Sequence, residues 1–149
     1  MLKLFEMKIL IPLLFLALPA SGQVSLGIGA GTSNNLRPTM ELQVGAEIQH
    51  VHLQAGFNAH LSSRVTDPAV FFVMGGYGFA LGESVRVNPA AGYAYELHSF
   101  DRPELNRTGL ILGCQFEKII GDTDGRWFIG YKYINKISLF TIGIKGVFK

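Results

Sequence analysis

The side chains best suited to chemistry are four histidines, His50, His52, His60 and His98, with the polar residues that follow two of them. Ser62, Ser63 and Asp67 come after His60, and Ser99 and Asp101 come after His98. An imidazole that takes a serine proton while a carboxylate orients the ring is the arrangement of acyl transfer. His60, His98, Ser62 and Asp101 form the candidate catalytic set on that logic. The competing reading is that these rings are only solvated or hydrogen-bonded. No metal site is expected, because His60 and His98 lack a closely spaced ligand pair to anchor an ion. No cofactor is expected either. Gly27-Ile28-Gly29-Ala30-Gly31 has no helix after it to make a phosphate loop. Asp122-Thr123-Asp124-Gly125 lacks the later ligands of a calcium loop.

A second set of groups is ionic. Glu41, Glu47, Glu96 and Glu117 alternate with apolar residues along the chain, and so do Arg86, Arg107, Lys132 and Lys145. These carboxylates and cations balance, so they could pair as a core inside a narrow enclosure or line a pore.

What positions both sets is a hydrophobic period of two. Val24, Leu26, Ile28 and Ala30 alternate with Ser25, Gly27, Gly29 and Gly31. The same alternation runs through Met40 to Ile48 and Leu53 to Leu61, then through segments near 71–79, 85–98, 107–117, 127–133 and 140–148. Asn, Ser, Asp, Gly and Pro separate the segments as turn chemistry. The pattern predicts about eight antiparallel strands, with no helix of 3.6-residue period. Parity places His52, His60 and His98 on the polar face with the ionic set. Loops near 32–38, 62–69, 98–106 and 135–136 would gather at one end, with both termini at the other. Pro89 lies inside the fifth strand, where a closed barrel has no edge to excuse a missing N–H, so a bulge is expected there.

Composition says what the alternation faces. Charged residues are 16% of the 149, against 18 Gly and 11 Phe, a poor exterior for a soluble domain. Across roughly forty apolar-face positions no charge occurs, where random placement would give about six. A lipid-facing Lys or Arg costs about 2–4 kcal/mol at mid-membrane, which gives that exclusion a cause. After residue 22 there is no long apolar run, and a chain that spans lipid without helices must close into a barrel. The fold class expected is all-β, an antiparallel up-and-down transmembrane β-barrel over residues 23–149.

Residues 1–22 read as a signal peptide. Lys3 and Lys8 precede an apolar run from Ile9 to Ala20, and Ala20-Ser21-Gly22 supplies small residues for cleavage before Gln23. The run is too short and too broken by Pro12 and Pro19 to span a bilayer as a helix. Loss of Lys3, Lys8 and Glu6 lowers the formal charge from +2 to +1, so no nucleic-acid partner is expected. A lone Cys114 excludes an intramolecular disulfide.

The last strand runs Thr141-Ile142-Gly143-Ile144-Lys145-Gly146-Val147-Phe148. With the leader and the strands, it resembles the small eight-stranded outer-membrane β-barrel proteins, the OmpA/OmpX-like group. The resemblance makes Thr141, Gly143 and Phe148 a signal read by the barrel-assembly machinery, with departures at Gly146 and the trailing Lys149. It implies residence in a bacterial outer membrane among lipid and lipopolysaccharide. It leaves the oligomeric state undefined and supports location better than activity. Three functions stay open: a non-enzymatic structural, adhesion or envelope-integrity role; a lipid A deacylase or acyltransferase; and a soluble periplasmic lipocalin-like barrel with its apolar face turned inward. The deacylase pattern of late-strand His and Ser is missing, since no His follows His98.

Overall fold

The computed structural model describes residues 22–34, 36–61, 68–98 and 103–148. The expected leader lies outside them except for Gly22. Nine strand segments follow the alternation: β1 Gln23–Ser33, β2 Pro38–Ile48, β3 Val51–His60, β4 Ala69–Tyr77, β5 Phe79–Ala80, β6 Val85–Leu97, β7 Arg107–Ile119, β8 Gly125–Ile134 and β9 Ile137–Phe148. A 3-10 turn over Pro103–Leu105 precedes β7.

Every pairing is antiparallel between chain neighbours, except that β1 also pairs with β9 and β6 pairs with both β4 and β5. Those contacts close the sheet. Because β5 continues the line of β4 past Gly78 against the same neighbour, the nine segments make eight staves. Closure removes the open edges that lipid would leave unsatisfied.

The bulge expected at Pro89 is not there. Gly76 faces Ala90 and Phe79 faces Val87, so the register passes Pro89 without an inserted residue. Pro89 also faces Cys114 on β7 in unbroken register. The missing N–H falls where the ladder between the fourth stave and β6 lapses, beside Pro89, while on the other side the Gly78 N–H continues the β3 register by donating to the His50 carbonyl at 2.7 Å.

Alternation sorts the two faces. Leu26, Ile28, Leu42, Val73, Leu110, Leu112, Phe116, Ile129, Ile142 and Ile144 project outward and are exposed. Tyr93, Tyr95 and Tyr133 stand toward the loop end of this belt, and Tyr77, Phe79, Trp127 and Phe148 toward the end that holds Gln23, an aromatic girdle of the kind found at bilayer interfaces. Lys118 is a charged outward residue at the end of β7, opposite Trp127, beyond the stretch that the alternation had marked as lipid-facing.

The interior is filled. Val70, Phe72, Met74, Ala94, Ile111, Ile134 and Leu139 form a buried apolar cluster in the loop half. Phe128, 1% exposed, lies across β1 and β9 where Gly29 and Gly143 leave room. A Cβ on Gly143 would come within 2.5 Å of the Phe128 ring and 2.3 Å of the Ile28 carbonyl.

Two glycines of β9 should therefore respond unequally to the same change. Gly143→Ala overpacks the interior and should lower unfolding stability in urea by about 1–3 kcal/mol. Gly146→Ala, whose Cβ would meet nothing closer than the Phe148 ring at 3.4 Å, should stay within about 0.5 kcal/mol of the native chain. Urea titrations of the vesicle-inserted barrel, read by gel mobility without boiling, measure both.

Candidate functional site

Parity turns the acidic and basic side chains inward, and the barrel gathers them in two layers. In the half nearer the termini five charges alternate in sign. Arg86 pairs with Glu47, Glu47 lies 3.6 Å from Arg126, Arg126 meets Glu117 at 2.9 Å, and Glu117 takes Lys145. Asn88 donates to Glu117 at 2.6 Å, and Gln115 donates to it at 3.4 Å. The ladder lies on β2, β6, β7, β8 and β9, so it ties staves that are not all neighbours.

The loop half holds one pair in drier surroundings. Glu41 is 0% exposed and accepts from Lys132 at 2.6 Å, Thr141 at 2.9 Å and Asn58 at 3.3 Å. The Lys132 ammonium also sits 4.7 Å above the Phe72 ring. Three donors and an aromatic face replace the water that both charges give up. Gln54 bridges the layers, donating to Gln43 and reaching Gln115 at 3.4 Å. A cavity of about 30 Å³ lies there against Gln43 and His52, whose Nε2 and Nδ1 have no partner among the described residues. It is large enough for a water. At the end near the termini an open vestibule of about 620 Å³ is lined by Gln23, Glu47, Arg86 and Arg126.

Two residues of the ionic set stand apart. Glu96, 2% exposed, accepts from Asn135 at 2.9 Å and faces His98 Nε2 at 3.1 Å. Arg107 is its ladder partner across β6 and β7, yet its side chain is exposed and makes no ion pair with another described residue. Arg126 is the member that sequence reading missed. The segment expected near 127–133 leaves it out, although Arg126 shares parity with Lys132, the signal that points to it. Val70, Ile134 and Leu139 were likewise unassigned, because each sits at a strand end where alternation is short.

The candidate catalytic residues do not assemble among the described residues. His60 Nδ1 lies 3.1 Å from the Pro68 carbonyl, and His98 is held between Glu96 and, through its N–H, the Asn106 side chain at 2.8 Å. Ser62 and Asp101 lie outside the described residues. Of the terminal motif, Thr141 and Gly143 face inward on Glu41 and Phe128, and Phe148 faces outward. No group of three metal-ligating side chains occurs among the described residues.

No family model matches the chain, and no curated protein matches its sequence. Solved structures do match its fold. A de novo designed transmembrane β-barrel aligns with a TM-score of 0.64 at 14% identity, over 85% of this chain and 96% of its own. Ail of Yersinia pestis, an outer membrane protein seen in a phospholipid nanodisc, aligns at 0.62 and 15% identity, over 86% of this chain and all of its own. The N-terminal β-barrel domain of Pseudomonas aeruginosa OprF aligns at 0.59 and 15% identity, over 86% and 100%. The chain thus has the fold of a small transmembrane β-barrel.

The ionic layers make one partner-dependent prediction. Lys132→Met should cost about 3–5 kcal/mol of unfolding stability, because it leaves Glu41 charged and buried. Arg107→Ala should change stability by less than about 0.5 kcal/mol. Urea unfolding of both variants in the same vesicles gives the comparison.

Proposed function

We propose that this chain is a non-enzymatic bacterial outer-membrane β-barrel protein that serves envelope integrity or surface attachment. The observation that carries the reading is the pairing of a continuous exposed apolar belt with a closed interior filled by ionic layers and an apolar cluster. Such a surface is stable only where lipid covers it. A filled eight-stave interior does not admit a diffusing solute. The lipocalin-like alternative needed the apolar face to line a cavity, and that face is outside. The acyl-transfer alternative needed a hydroxyl at a histidine, and among the described residues His60 and His98 are bonded to a carbonyl and a carboxylate.

Export belongs to the same proposal: β1 begins at Gln23, the residue that cleavage before it would leave first. Assembly by the barrel-assembly machinery rests on the pattern of Thr141, Gly143 and Phe148. Partners in the membrane are lipid and lipopolysaccharide.

Expressed with its leader, the protein should fractionate with the outer membrane, migrate faster unboiled than boiled, and give no stable conductance steps in planar bilayers. Recovery as a soluble periplasmic protein with one mobility would defeat the reading.

A further inference from the structure

The wall of the barrel is notched at its loop end. β7 pairs with β6 as far as Arg107, but with β8 no further than Ile111 opposite Ile134. Residues 107–110 therefore have no ladder partner on β8. The β8–β9 turn that might have covered them is two residues long, Asn135 and Lys136, both at positive φ, and it is drawn the other way. Asn34 holds it toward β1, donating from its side chain to the Lys136 carbonyl and from its N–H to the Ser138 carbonyl, each at 3.0 Å. The Asn135 side chain folds inward over Gly109, occupying the space a Cβ there would take, and donates to Glu96.

What remains is an open cleft of about 480 Å³ lined by Arg107, Thr108, Asn135 and Lys136. Its two cations make no ion pair with another described residue. The nearby carboxylate, Glu96, is buried behind Asn135 and His98, so the mouth of the cleft presents positive charge and a hydroxyl. Directly below on the outer face are Leu110 and Tyr93, 65% and 72% exposed, with Tyr95 and Tyr133 beside them. An anion-binding cleft above an apolar wall, at the level of an aromatic girdle, matches a headgroup with its chain.

We propose that the notch docks the phosphoryl group of an anionic lipid in the leaflet at the loop end. Arg107 offers a planar fork to the phosphoryl oxygens, Lys136 a point charge, and Thr108 a hydroxyl. Leu110 and Tyr93 bear the acyl chain. The proposal rests on the outer-membrane reading and adds to it a specific lipid contact.

The test uses the full chain refolded in maltoside micelles, whose headgroups carry no phosphate. Three probes are titrated against the backbone amides of Thr108, Gly109 and Lys136: monophosphoryl lipid A, the same lipid dephosphorylated, and inorganic phosphate. Saturable shifts are expected with the phosphorylated lipid, at least about tenfold weaker binding with inorganic phosphate, and none with the dephosphorylated lipid. The double variant R107A/K136A should lose affinity about tenfold or more, and R107K/K136R should recover most of it. Equal binding of the dephosphorylated lipid, equal binding of free phosphate, or undiminished binding by R107A/K136A would overturn the proposal. Unboiled gel mobility separates the two failures. A heat-modifiable barrel without phosphate-dependent docking ends the lipid-contact proposal alone, whereas a chain that never shows heat-modifiable mobility ends both.

Discussion

Closure of the sheet between β1 and β9 is the constraint from which the rest of this molecule follows. In hydrocarbon an unpaired backbone N–H or carbonyl costs several kcal/mol, so a sheet can reside there only if its first and last edges find each other. Here they do, since β1 joins β9 at the chain ends, while β4 with β5 joins β6 in mid-chain and leaves no gap in the wall. Each strand then has two neighbours, and side chains are left with two destinations, lipid or lumen.

Eight staves enclose so little space that the lumen must be solved as a packing problem. The chain solves it with contrasts of size and charge. Phe128 fills what Gly29 and Gly143 vacate, Lys132 is wedged between a carboxylate and an aromatic ring, and Glu117 collects four donors. Replacing ion pairs by well-packed apolar groups can be neutral or stabilising in other proteins. The mixture found here joins opposite charges across the lumen, as Glu41 of β2 with Lys132 of β8.

The alternation makes most of this architecture legible in the sequence. A period of two survives in Met40 to Ile48 because each residue there has one fate, and Glu41 and Glu47 could be placed inward from that segment alone. Legibility failed where the period was short or interrupted. Arg126 was lost because Gly125 reads as turn chemistry although it opens β8. Lys118 was passed over because the strand continues two residues past the polar Glu117. The interior cluster was partly hidden, since an inward Val70 or Leu139 looks the same in sequence as an outward one. Partner identity, such as Lys132 with Glu41 across 91 residues of chain, depends on closure and register, which local pattern does not encode.

Proline in the sixth segment has a mechanical meaning as well as a hydrogen-bonding one. Because the ladder lapses beside Pro89, the fourth stave divides into a long upper part joined to β6 by eight residue pairs and a lower part joined by two. Force applied at the turn through Leu81 and Ser84 would reach that short lower part first. The stave is thus two segments of unequal purchase on β6, and a displacement of the turn should strain the two-pair segment before the eight-pair one.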